Sequence, residues 1–475
     1  MERKNAWLSY DAAAEKELEA LCDGYKDYLF RGKTEREGTK YIIEQAEKAG
    51  YISLEKAIKK GSKLKAGDKI YAVNMGKTVA LFNIGAKKLE EGMNILGAHI
   101  DSPRLDIKQN PLYEDNELAF LDTHYYGGIK KYQWVTLPLA IHGVVVKTDG
   151  TVIDVVIGEE DNDPVFCVTD ILIHLAQDQM TKTAAKVVEG ENLDLLVGSR
   201  PIVIEKTKGK KSDKEDENKP SKGSLVKHKV LEILKAKYGF DEEDFISAEL
   251  EVVPAGKPRD MGIDKSMIIA YGQDDKVCAY TSLYAQLAVK KVERTSCTLL
   301  VDKEEIGSVG ATGMQSKFFE NTVAEILSLA GEGGDLQLRR CLSNSNMLSS
   351  DVSAGYDPLY ASCFEKKNAA FLGRGMVFNK FTGARGKSGS NDANAEYIGK
   401  LRGILEKNNI FYQTAELGKV DVGGGGTIAY ILALYGMNVI DCGVAVLNMH
   451  APWEVTSKAD IYETEKGYEV FLREA

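Results

Sequence analysis

Apolar positions along the chain follow two rhythms, and each predicts a different kind of element. Over residues 12–29 they recur at three- and four-residue spacing, which predicts an amphipathic helix. Thr34 and Glu37 stand in a capping-box arrangement ahead of Tyr41, Ile42 and Ala46, so a second helix is expected to end near Gly50. Residues 69–74 and 78–85 are short β-rich runs separated by Met75, Gly76 and Lys77, the pattern of a hairpin. The next apolar run starts at Asn94 and stops at Gly97 and Ala98. His99, Ile100 and Asp101 follow at once.

The pattern then changes. Residues 111–147 are rich in aromatics, and 142–147 and 151–158 alternate on either side of an Asp149-Gly150 turn, a hairpin signal. Residues 205–222 are charged and almost free of apolar side chains, so a solvated or disordered loop is expected there. A helix is expected over 225–238 and strands over 248–256 and 266–275. Beyond them helical patterns (275–292, 322–330, 427–436) alternate with strand patterns (295–301, 439–447), and a last helix is capped at Ser457. Such alternation predicts an α/β fold with a mainly parallel sheet covered by helices. The aromatic, β-rich stretch predicts a domain over 109–250 inserted into a discontinuous one formed by 1–108 and 251–475.

Composition narrows the function classes. The chain has 475 residues, 44% hydrophobic and 28% charged, with a net charge of −10. That balance disfavours nucleic acid as a partner. No apolar run is long enough for a membrane span, and the N-terminus lacks the apolar core of a secretion signal, so a cytoplasmic protein is expected. The seven cysteines are scattered without a Cys-x-x-Cys pair, which fits reduced thiols and excludes a zinc-thiolate site.

Chemistry concentrates where strand-like runs end. His99 with Asp101 has the residue types of a metal-binding imidazole oriented by a carboxylate. The bland alternative is a surface turn. Asp274 and Asp275 follow the run 266–271, where a helix N-cap would also welcome acids. Glu304 and Glu305 follow the strand ending at Val301; one can bind metal while the other takes a proton from water, although a solvated turn would look similar. Asp351 and His450 each follow a further apolar run. Histidines and carboxylates without thiolates suit zinc, with manganese or cobalt as alternatives. More acids than one tetrahedral ion needs favour two metals. No His-Glu-x-x-His helix, phosphate-binding loop or Gly-x-Ser-x-Gly elbow is present.

Five runs together carry a resemblance: GAHIDSPRLDIK, GQDDKVCAYTSL, VDKEEIGSVGATG, SSDVSAGYDP and NMHAPWEV. With them the chain resembles the aspartyl aminopeptidase-like family of dinuclear zinc metallopeptidases, in particular its bacterial probable-aminopeptidase branch. The resemblance implies a zinc peptidase-like fold and two zinc ions per subunit. It implies His99, Asp274, Glu305, Asp351 and His450 as metal ligands, with Asp274 bridging and joined to Asp275 by a cis peptide bond. It implies Glu304 as general base and Asp101 as the partner behind His99. Lys380 becomes a candidate for a substrate carboxylate, and Gly424 and Gly425, with Gly426, for lining the substrate backbone. The eukaryotic aspartyl enzymes carry histidines where this chain has Ala354 and, in the inserted domain, Lys130 and Lys131.

The activity so implied is release of N-terminal amino acids from peptides by attack of a metal-bridging water, with acidic residues as candidate favourites. The implied assembly is a homo-oligomer, a dodecamer, with the inserted domain in dimer contacts. Two alternatives remain open at the level of sequence. One is a binuclear amidohydrolase or deacylase acting on small acylated amines. The other is a metal-stabilised scaffold without turnover.

Overall fold

A computed structural model describes residues 3–203 and 224–475. The charged tract expected to be a loop, 205–222, lies outside the described residues. The chain forms two compact units, Met1–Ser102 with Lys257–Ala475, and Pro103–Gly256.

The first unit is built on a nine-stranded sheet. Its centre is parallel. Ser296–Val301, Asn94–His99, Asn346–Ser349 and Asn438–Gly443 lie side by side, with Val301 level with His99 and Ser349 level with Gly97. These strands therefore present their C-terminal ends along one edge, where α/β sheets place ligands. The flanks are different. The hairpin of Lys69–Asn74 and Thr78–Asn83 is antiparallel, as its short turn requires, and it joins Ser296–Val301 antiparallel. Met376–Asn379 also runs against Asn438–Gly443. The sheet is mixed, so the expectation of a mainly parallel one is not confirmed. The unit is α/β all the same.

Alternation along the strands sends side chains to two cores. Ile95, Leu299 and Val301 pack with Phe319, Ile326 and Ile428 on one face. Ala98 and Leu300 pack on the other with Tyr25, Val277 and Tyr280. Leu96 lies beside them with Leu348, Ile440 and Tyr468. Helices thus cover both faces. The first is Ala12–Arg31, capped by Asp11, and the second, Glu35–Lys48, carries the expected capping box between Thr34 and Glu37. The helix expected from Asp275 begins at Gln273 and ends at Ala288, with Asp274 and Asp275 outside helical geometry. That expected over 427–436 shrinks to Ala429–Ala433.

A five-stranded sheet completes this unit. Here the expected strand 439–447 divides: Asn438–Gly443 stays in the large sheet and Ala445–Leu447 enters the small one. Gly443 marks the division. A Cβ there would lie 1.9 Å from the carbonyl oxygen of Asp351, so only glycine permits this approach. Ala445–Leu447 then pairs antiparallel with Glu454–Ser457, and His450 lies in the connection with φ of 64°.

The second unit holds a seven-stranded sheet, antiparallel throughout from Val152–Ile157 at one edge to Cys167–Val168 at the other. Its entering strand Arg104–Asp115 and leaving strand Ala248–Pro254 are neighbours, with Leu105 opposite Val252. Insertion is topologically simple for that reason: the two chain crossings are adjacent. No helix among the described residues is long and apolar enough to cross a membrane.

Candidate metal centre

His99 ends its strand fully buried, at 1% exposure. Its Nδ1 lies 3.2 Å from Asp101 Oδ1, and its Nε2 lies 3.2 Å from Asp274 Oδ1. Asp101 also accepts the backbone N–H groups of Glu304 (3.2 Å) and Glu305 (3.3 Å). One carboxylate therefore orients the imidazole and holds the short turn Glu304–Ile306 beneath the end of the neighbouring strand. That turn puts Glu304 Oε2 3.9 Å from His99 Nε2.

Asp274 sits between two histidines. Its Oδ1 faces His99, and its Oδ2 lies 3.3 Å from His450 Nε2. His450 Nε2 is in turn 3.5 Å from Glu305 Oε2. Asp351 joins the His99 side: one ligand atom each from His99, Asp274 and Asp351 fall within 4.8 Å of one another, as do those of Asp274, Glu305 and His450. The peptide bond from Asp274 to Asp275 is cis. Asp275 turns the other way, its Oδ2 accepting the N–H of His99 at 3.3 Å. The resemblance sets Asp274 apart from Asp275, and the structure gives the two carboxylates separate surroundings.

The electrostatics are those of concentrated negative charge. Burial pushes the carboxyl pKa of Glu305 and Asp351 well up, and the Asp274 charge adds to it in both. Glu304 is pushed up to about 7, first by burial. Burial opposes ionisation of Asp274 too, but the His450 and His99 imidazoles hold its pKa well below the ordinary value. Asp274 Oδ1 and Glu305 Oε1 are buried and accept no hydrogen bond. Buried acids that raise one another's pKa, with oxygens left over after hydrogen bonding, fit a divalent cation held by oxygen and imidazole.

Three side chains around the centre escaped the sequence reading. Glu454, 1% exposed, accepts the N–H of Asp274 (2.9 Å) and of His450 (2.8 Å). It thus holds the backbone on both sides of the second group. Ser102 donates to the carbonyl oxygen of Asp274 (2.9 Å), and the buried Lys276 ammonium donates to Ser102 Oγ (2.6 Å). The signal available in sequence was weak: an acid four residues after His450 and a lysine directly after Asp275.

Other candidates stand apart from the clustered groups. Lys380 is exposed, and its Nζ lies 3.9 Å from Asp392 Oδ1. Gly424 packs against the same loop; a Cβ there would lie 2.6 Å from Ala384 Cα. Gly425 has only Leu417 near its Cβ direction, at 3.7 Å. In the second unit, His142 Nε2 lies 3.0 Å from Glu159 Oε1.

Comparison with known proteins bears on what the centre is. The family model described as "Aminopeptidase I zinc metalloprotease (M18)" matches residues 28–472. The chain belongs to the M18 family. Among its M18 relatives, a probable M18 family aminopeptidase 1 from Clostridium acetobutylicum is 62% identical over 99% of this chain and 98% of its own. The crystal structure of the M18 aminopeptidase from Thermotoga maritima superposes with a TM-score of 0.91, at 42% identity over all of both chains. The mApe1 dodecamer structure from S. cerevisiae, 20% identical over 94% of this chain and 95% of its own, shares the fold with a TM-score of 0.74. M18 membership makes this chain a zinc aminopeptidase, a hydrolase, and decides against both the deacylase and the scaffold alternatives.

Proposed function

We propose that Asp274, with His99, Asp351, His450 and Glu305, would hold two zinc ions in this M18 aminopeptidase. His99 and Asp351 complete one position, and His450 and Glu305 the other. One observation carries the proposal: the two oxygens of a single buried carboxylate face two different imidazoles, at 3.2 and 3.3 Å. Bound zinc supplies Lewis acidity, polarising the scissile carbonyl and making water acidic enough to attack near neutral pH.

The chain's own residues do the rest. Glu304 takes the proton from the attacking water and delivers it to the leaving nitrogen. Asp101 keeps Glu304 within reach by holding its backbone N–H, and fixes the His99 ring by the same carboxylate. Glu454 and the Lys276–Ser102 pair lock both ends of the Asp274 segment. The substrate is a peptide with a free amino terminus, which neutralises part of the buried negative charge.

The finer proposals rest on single features. A preference for acidic N-terminal residues rests on the exposed Lys380 ammonium. Twelve-fold assembly rests on kinship with the mApe1 dodecamer, with the second unit in subunit contacts. A cytoplasmic location rests on the sequence.

The test is Glu304→Gln. Hydrolysis of aminoacyl-anilides should fall by about 10²- to 10⁴-fold while zinc content and melting temperature hold. Undiminished hydrolysis would remove Glu304 from the mechanism.

A further inference from the structure

A second concavity in the first unit differs from the metal centre in its charge. It encloses 670 Å³ and is lined by Arg3, Lys366, Lys367, Arg374 and Arg402, with no Asp or Glu among the described residues of its lining. The chain as a whole carries a net charge of −10, so this gathering of cations runs against its average. It lies at the edge of the large sheet, where Tyr412–Ala415 is the last strand. Lys380, which follows the neighbouring strand Met376–Asn379 at its far end, is not part of it.

The cations are held in place. Arg374 stacks over Phe371, its guanidinium carbon 5.1 Å from the ring centre, and donates to the carbonyl oxygen of Arg3. Arg3 stacks over Tyr412 at 4.4 Å. Beneath Arg374, the Asp460 carboxylate accepts the N–H groups of Gly373 and Gly375 at 2.7 Å each, which fixes the turn that carries it. The acids bordering the lining are already engaged by it. Glu365 accepts from the Lys367 N–H and from Asn368 Nδ2. Glu406 accepts from Tyr412 Oη at 2.8 Å and meets Arg402 at 3.5 Å, leaving the cations in excess.

Guanidinium groups seated over aromatic rings are restrained donors for the oxygens of phosphate. Because both rings are already covered by cations, the site offers charge and not a stacking platform. Its volume is that of a small-ligand pocket. A cationic concavity of this kind raises the local concentration of multiply charged anions.

We propose that this cavity binds a small anion bearing two or more phosphate groups, at a site separate from the metal centre. Lys366 and Lys367 supply exposed charge at its mouth, and Arg3 and Arg374 supply the oriented donors.

The test is calorimetric titration of the zinc-loaded, full-length protein with fructose 1,6-bisphosphate, with zinc content followed in parallel. The wild type should bind, more weakly as salt rises. Lys366→Glu with Lys367→Glu should weaken binding at least about tenfold at an unchanged melting temperature and zinc content, because two attractions become repulsions. Arg402→Ala should weaken it less. An affinity unchanged in the double variant would assign the anion to the metal centre and overturn the proposal. So would absence of binding to the wild type at millimolar probe, or a double variant that dissociates into smaller species while the wild type ignores the probe.

Discussion

Two buried carboxylates do most of the positioning at the centre without facing the Asp274 oxygens themselves. Asp101 takes the N–H groups of Glu304 and Glu305 while contacting the His99 ring, so one side chain sets both an imidazole and a base. Glu454 repeats the device for Asp274 and His450. An amide in place of Glu454 keeps one acceptor oxygen where the carboxylate has two. Glu454→Gln therefore leaves one buried N–H without a partner, at a cost of about 1–3 kcal/mol. Zinc affinity should fall by about 10- to 100-fold in a competitive chelator titration. An unchanged affinity would confine Glu454 to a structural role. Lys380 belongs to the same scale. Lys380→Ala should lower kcat/KM for Asp- and Glu-anilides relative to Leu-anilide, and equal losses across the panel would end the proposal of an acidic preference. Asp101 was legible because it stands two residues from His99. Glu454 was not, because its function depends on two backbone N–H groups that come together only when the strand Glu454–Ser457 pairs beside Ala445–Leu447.

Elements were legible in proportion to how local their causes are. The capping box at Thr34 and the hairpin at Met75 are set by residues a few positions apart, and both form. Parallel or antiparallel pairing on the flanks is decided by neighbours distant in sequence, so the mixed sheet was not. The helix from Gln273 shows the site overriding propensity: Asp274 and Asp275 leave helical geometry to aim their carboxylates. Likewise the Val439 run had to divide at Gly443, where Asp351 approaches from another element. One element also carries a pH signature. Asp460, in the first turn of Lys458–Glu474, is pushed up to about 7 by burial, although the Gly373 and Gly375 N–H groups pull it down. The folded chain thus holds a proton there that the unfolded chain has already released. Its contribution to stability is present below the unfolded value of 3.8 and is lost as pH rises through about 7. Asp460→Asn removes that titration. Its melting temperature should start lower but decline less between about pH 5 and 8 than the wild type's. Parallel declines would contradict the assignment.

At the scale of the molecule, the sequence showed that an aromatic, β-rich stretch interrupts an α/β pattern, and the structure divides the chain at Ser102 and Gly256. Length and pattern could not show the adjacency of the two crossings, which depends on Leu105 meeting Val252. The metal centre draws on Asn94–His99, Gln273–Ala288, the Glu304 turn and the His450 connection, so it ties together segments spread across the first unit. Its buried acids repel one another in the absence of a cation. Chelation should lower the melting temperature and zinc should restore it, since a ligand that binds only the folded state stabilises it by mass action. A melting temperature indifferent to chelation would mean that the acids balance without metal. The central claim is that Asp274 serves two ions at once, and zinc counting tests it most directly. Elemental analysis of the zinc-saturated, desalted protein should give two zinc ions per chain, with both positions weakened in Asp274→Ala. One zinc per chain in the wild type, or two retained in Asp274→Ala, would contradict it.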